Sequence, residues 1–159
     1  MKSKTVLILG ILSLLFVHLA VSAVAAETAV AKDPGIKWYG YEEGMALART
    51  TGKKILLYFH ADWCGYCHKM DREVFSREEV AAFMNQHFVP IKIDTDAEKK
   101  LAEEYRVTGL PTTWFLDGKG TPIQSLPGYL PRSTFLAYLN YIQTGSYTTR
   151  TFRAFTEAN

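Results

Sequence analysis

Cysteine is scarce in this chain: two residues in 159, Cys64 and Cys67. A small secreted domain stapled by disulfides carries more sulfurs at wider spacings. A bridge between two cysteines three apart closes too small a loop to stabilise much through chain entropy. Excess positive charge is also missing, with 18 Lys and Arg against 16 Asp and Glu. The clustered basic residues that a phosphate backbone demands are absent, which sets nucleic-acid binding aside. The longest apolar run, Val6 to Ala20, is about 15 residues, short of the ~20 a spanning helix needs. There is no internal repeat and no low-complexity tract. Apolar residues at 48% and charged residues at 21% suit a folded domain of this length, with one core rather than two.

The N-terminus carries an address. Lys2 and Lys4 precede the apolar run, and the small-residue stretch Ser22-Ala23-Val24-Ala25-Ala26 follows it. That order is the pattern of a secretory signal peptide, here residues 1–26, with cleavage after Ala25 or Ala26. An uncleaved membrane anchor is the alternative. Cleavage would remove two lysines and no acid, leaving a formally neutral mature chain in an exported, periplasmic setting. Residues 27–35 read as a flexible mature N-terminus, 36–143 as the folded domain and 144–159 as a C-terminal extension.

Within the domain the spacing predicts a helix over about Glu42–Thr51, closed by Gly52, and a buried strand at Lys54–His60. A helix is expected from Asp62 to Phe75, then a capping box at Ser76-Arg77-Glu78-Glu79 opening a helix to His87. Phe88–Asp94 reads as a strand, Ala97–Tyr105 as a short helix, with Asp94 and Asp96 as cap groups. Thr112–Leu116 and Thr121–Leu126 form a hairpin about Asp117–Gly120, and a helix spans Pro131–Ile142. Strand–helix–strand demands a parallel pair with a right-handed crossover; the hairpin adds antiparallel neighbours. The expected fold class is α/β, a mixed central sheet with helices on both faces. Phe152 and Phe155 leave the tail open between a docked helix and a loose segment.

The two cysteines fall where a buried strand ends and a helix begins. The thiolate is the reactive form, and a free thiol near pKa 8.5 is mostly protonated at neutral pH. Free N–H groups and the dipole at a helix start favour a negative sulfur. Lowering the value to about 7 takes roughly 2 kcal/mol, of which the dipole supplies typically ~0.3–1; a hydrogen bond from the second thiol is expected to add the rest. Cys64, first and more exposed, is the expected nucleophile. Cys67, one turn deeper, is the expected resolving thiol.

The run Ile55-Leu56-Leu57-Tyr58-Phe59-His60-Ala61-Asp62-Trp63-Cys64-Gly65-Tyr66-Cys67 resembles the strand-to-active-site segment of the thioredoxin superfamily. Val107-Thr108-Gly109-Leu110-Pro111-Thr112 resembles its cis-proline loop. The similarity extends over about Trp38–Ile142 and implies a thioredoxin-like fold. It also implies a cis Pro111 beside the sulfurs and a Leu110 backbone that pairs with a substrate chain, with Trp63, Gly65 and Tyr66 supporting that face. The exported N-terminus, the Lys69-Met70 that follows Trp-Cys-x-x-Cys, and Glu73-Val74-Phe75-Ser76 are similar to bacterial periplasmic reductases, such as the C-terminal domain of DsbD and SoxW-type thioredoxins. The resemblance therefore implies a thiol–disulfide oxidoreductase without a cofactor beyond its own redox-active disulfide. It further implies protein thiols and disulfides as substrates and a membrane electron donor of the DsbD type; a monomer is expected. One departure stands out. Where the family commonly has a buried Asp, this chain has Tyr58, and the matching lysine position reads as Ile91. The proton acceptor for Cys67 stays open among water, Asp62 and His60, with His68 as a further tuning candidate.

Other chemistries share these residues. Cys64-Gly65-Tyr66-Cys67-His68 is also the attachment signature of c-type haem, although a buried strand and a proline loop have no part in that role. A zinc site would need His60, Cys64, Cys67 and His68 to close a tetrahedron from one local segment, so no metal is expected. A disulfide oxidase or isomerase would use the same sulfurs, whereas a binding module or chaperone would not need them. Trp63 either shields the sulfur face or fills the core, and Met70 is expected to pack inward.

Overall fold

The computed structural model describes residues 35–158. The expected signal segment and all but the last residue of the expected mature N-terminus lie outside the described residues. Among the described residues no helix is long and apolar enough to cross a membrane.

Helix α1 spans Tyr41–Thr51 and ends at Gly52, whose φ of +69° is the left-handed conformation glycine adopts without a Cβ penalty. Strand β1 (Lys54–His60) follows, then α2 (Gly65–Met70), which runs on through a π-helical turn at Asp71–Phe75. Helix α3 (Glu78–His87) leads directly into β2 (Phe88–Asp94). After the short α4 (Lys99–Glu104) come β3 (Thr112–Leu116), β4 (Pro122–Pro127) and α5 (Arg132–Gln143). A 3-10 turn at Ser146–Thr148 and α6 (Phe152–Glu157) complete the chain.

The strands lie in the order β2-β1-β3-β4. β1 and β2 are parallel, and β1–β3 and β3–β4 are antiparallel, so the expected mixed sheet is what forms. Alternation along β1 divides its side chains between two cores. Leu56 and Tyr58 face Met70, Val74 and Phe135 on one side. Ile55, Leu57 and Phe59 face Met45, Ala48 and Ile91 on the other. Because both faces are covered, residues 55–59 are all buried, which is why the strand reads as an unbroken apolar run. Gly118 in the β3–β4 turn has no alternative: a Cβ there would stand 2.7 Å from the backbone oxygen of Gly52.

Three local expectations are corrected, and the alternative left open for the tail is decided. The helix expected from Asp62 starts only at Gly65, because the Cys64 amide closes a tight turn onto the Ala61 carbonyl at 3.1 Å. The capping box does not form. Ser76 keeps helical angles as the end of the π turn, its amide donates to the Asp71 carbonyl, and its hydroxyl donates back to Arg72 at 2.6 Å. Arg77, extended, takes the cap position instead. Ala97 sits in a turn before α4, and Asp96 does not cap that helix. The tail docks: Phe152 stacks on Tyr138 at 3.5 Å between ring centroids, Phe155 is buried, and the Tyr141 hydroxyl donates to the Arg150 carbonyl at 2.6 Å.

Candidate active site

β1 delivers the chain from between the two cores to one end of the sheet, where Ala61–Cys64 turns into α2. Cys64 is the N-cap of that helix, and its sulfur accepts the Cys67 amide at 3.1 Å. The two cysteines are joined as a disulfide, with Cα atoms 5.2 Å apart. When the bridge opens, the Cys67 N–H is already aimed at the Cys64 sulfur, and a hydrogen bond to the charged form favours thiolate. Both sulfurs are largely covered, Cys64 at 5% exposure and Cys67 at 2%. Exchange therefore requires a partner that seats on the surface around Cys64.

That surface is apolar where it meets solvent. Trp63 (71%) and Tyr66 (64%) are the exposed large hydrophobic side chains among the described residues, so Trp63 is no core aromatic. Its indole N–H donates to the Asp96 carboxylate at 2.9 Å. Leu110 packs on Ala61 and the cysteines, and the Leu110–Pro111 peptide bond is cis. A cleft of about 210 Å³ runs between Trp63, Thr95, Val107, Gly109 and Leu110. The Thr112 hydroxyl donates to the Gly109 carbonyl at 2.7 Å, and the Gly128 amide donates to the Pro111 carbonyl at 2.7 Å, which fixes the loop. Gly65 is exposed with open space where a Cβ would stand. Neither this cleft nor a larger hollow of about 560 Å³ beside Tyr41 and Leu101 is lined by a cysteine.

Behind the sulfurs, the sequence reading needs revision. Strand pairing sets Tyr58 against Lys92, while Ile91 points into the opposite core. A lysine does stand beside Tyr58, one position from where the resemblance placed it. Its ammonium lies 5.7 Å from the Tyr58 ring centre and 3.4 Å from the Asp71 carboxylate. Burial, with the Asp71 charge adding to it, raises the Tyr58 phenol well above its usual range. Tyr58 therefore stays protonated and donates to the Cys67 carbonyl at 3.4 Å.

The tuning candidates do not converge. His60, half-buried, stacks against Tyr58. Asp62 and His68 are exposed, and His68 Nε2 donates to the Asp62 carbonyl at 2.7 Å. The four ligands a zinc site would need are thus split between a sulfur–sulfur bond and two separately engaged imidazoles. Sequence reading missed Asp96 as a partner of Trp63, Glu73 and Tyr129 as partners of each other, and Asp71 and Lys92 beside Tyr58.

Burial and then the Lys92 charge lower the His60 pKa from its ordinary 6.5, outweighing Asp94, Asp71 and Asp62. The folded protein therefore binds fewer protons at this site than the unfolded chain. Its stabilising contribution is complete above about pH 6.5 and is lost as the pH falls from there through the lower folded value. The urea midpoint is expected to decline between pH 7.5 and 5.5, with a shallower decline in His60→Gln; equal slopes would contradict this.

A family model for a thioredoxin-like domain matches residues 41–143. The thiol:disulfide interchange protein DsbD of Vibrio vulnificus is 32% identical over 107 residues, 64% of this chain and 18% of that protein. The thioredoxin-like protein HCF164 of Arabidopsis thaliana chloroplasts is 28% identical over 106 residues, 66% of this chain and 38% of that one. The chain thus spans less than a fifth of the length of the DsbD relative. A thioredoxin from Thermus thermophilus superposes with a TM-score of 0.63 at 34% identity, covering 68% of this chain and 87% of the other. Strand order, sulfur pair and proline loop agree with that likeness: the chain belongs to the thioredoxin-like family.

Proposed function

We propose that this protein is an exported thiol–disulfide oxidoreductase that reduces disulfides in other proteins. The observation that carries the reading is the Cys64–Cys67 disulfide at a helix start, with an amide aimed at the first sulfur and exposed Trp63 and Tyr66 beside it. In the reduced enzyme, the Cys64 thiolate attacks one sulfur of a substrate disulfide. A Cys64–substrate bond forms, and the substrate's other sulfur leaves as thiolate and takes up a proton. Cys67 then loses its proton and attacks the Cys64 sulfur, closing the internal bridge and releasing the second substrate thiol. Two electrons pass from enzyme to substrate per cycle. A dithiol donor must return them, and the likeness to DsbD supports a membrane electron conduit of that kind. The pattern at residues 1–26 supports export to the periplasm, and the enzyme acts as a monomer. The Leu110 backbone and Pro111 receive the substrate chain beside the sulfurs.

Equilibration of the purified mature protein with glutathione tests the direction. A potential nearer thioredoxin's, about −270 mV, is expected; one near −120 mV, the strong-oxidant range, would make it an oxidase. A Soret band on the same sample would replace the proposal with the haem reading.

A further inference from the structure

We infer that Tyr129 is a positioning residue that sets the spacing between the proline loop and the helix that carries the sulfurs. The inference rests on the proposed exchange with protein disulfides and concerns the helix face that carries Lys69 and Glu73. Tyr129 follows β4, directly after Gly128, whose φ of +87° turns the chain toward the proline loop. Its hydroxyl donates to the Glu73 carboxylate at 2.6 Å, and the Lys69 ammonium sits 4.5 Å from its ring centre. Tyr66, Lys69 and Glu73 fall at intervals of three and four along the helix that carries the sulfurs, so they share one face. At the neighbouring residue, the Gly128 amide holds the Pro111 carbonyl at 2.7 Å. Two consecutive residues of one loop are therefore bonded to two different elements, Gly128 to the proline loop and Tyr129 to the helix that carries the sulfurs. A surface contact that contributed only stability would need neither the pairing with Pro111 nor a place on the Tyr66 face.

A latch of this kind acts on the seating of a polypeptide and leaves the sulfur chemistry alone. An extended substrate chain must fit between Leu110 and the Tyr66 face, whereas a small disulfide touches little beyond Cys64. Tyr129→Phe removes the hydroxyl and keeps the ring under Lys69; Glu73→Gln keeps an acceptor and loses the charge.

The full mature protein, reduced with dithiothreitol, is assayed against disulfide-bonded insulin and against oxidised glutathione. Tyr129→Phe is expected to raise KM for insulin about three- to tenfold with little change in kcat. Its rate with glutathione and the potential of the Cys64/Cys67 pair should match the parent. Glu73→Gln should fall between parent and Tyr129→Phe, and the double variant should be no worse than Tyr129→Phe alone. An unchanged KM for insulin, a matching loss with glutathione, or a shifted potential would overturn the latch while leaving the functional reading in place. A parent that reduces neither substrate overturns the functional reading, and the latch falls with it.

Discussion

Cys64→Ser is expected to lower the rate of exchange with a protein disulfide on the order of a thousandfold or more, because the remaining thiol, Cys67, is the more deeply covered and lacks the amide aimed at the Cys64 sulfur. Cys67→Ser should behave differently. Cys64 remains the helix cap, and the residue 67 amide still points at its sulfur, so attack proceeds. The exit step is missing, and the Cys64–substrate disulfide accumulates. Mass spectrometry without reductant should find that adduct in Cys67→Ser and not in Cys64→Ser, and dithiothreitol should discharge it. Turnover by either variant at the parental rate would remove the sulfur pair from the chemistry. An adduct confined to Cys64→Ser would exchange the two roles.

Phe155→Ala is expected to cost about 3–5 kcal/mol, the usual range for emptying a buried aromatic site. That is a large part of the 5–15 kcal/mol that holds a domain of this size folded. The ring is 5% exposed, sits 5.3 Å from Tyr141 and is covered by the Arg150 guanidinium at 5.0 Å. The tail therefore helps seal the core beneath α5. Phe152→Ala should cost less, because that ring is only half-buried against Tyr138. Urea unfolding of the two variants checks the order, and a Phe155→Ala midpoint equal to the parent's would show that the tail adds nothing to the core.

How legible each part was depended on the distance over which its signal acts. The strand at 54–60 and the cysteine pair were readable because their information is local: a run of strand formers buried on both faces, and two sulfurs three residues apart. The proline loop was readable through resemblance to a family. The capping box failed because its local pattern competed with a π turn that had already committed the Ser76 amide, and no periodicity announces such a turn. Partners separated widely in the chain were not readable. Asp96 meets Trp63 across 33 positions and Tyr129 meets Glu73 across 56. The lysine beside Tyr58 was read as absent, with Ile91 at its position, because only the pairing register shows that Lys92 stands opposite Tyr58. The tail showed two phenylalanines three apart, but their partners Tyr138 and Tyr141 lie on another helix.

The π turn at Asp71–Phe75 also accommodates one residue more than an α-helical turn would hold. Each α-helical residue advances the chain by about 100°, and a single wider turn takes up an additional residue so that the segments on either side keep their facing. Upstream of the turn lies the segment that presents two sulfurs; within it lie Val74 and Phe75, anchored in the interior. Deleting one residue from 71–75 would restore an unbroken ladder. With Val74 and Phe75 kept in place, the sulfur-bearing turn would then hold nearly the same bearing about the helix axis.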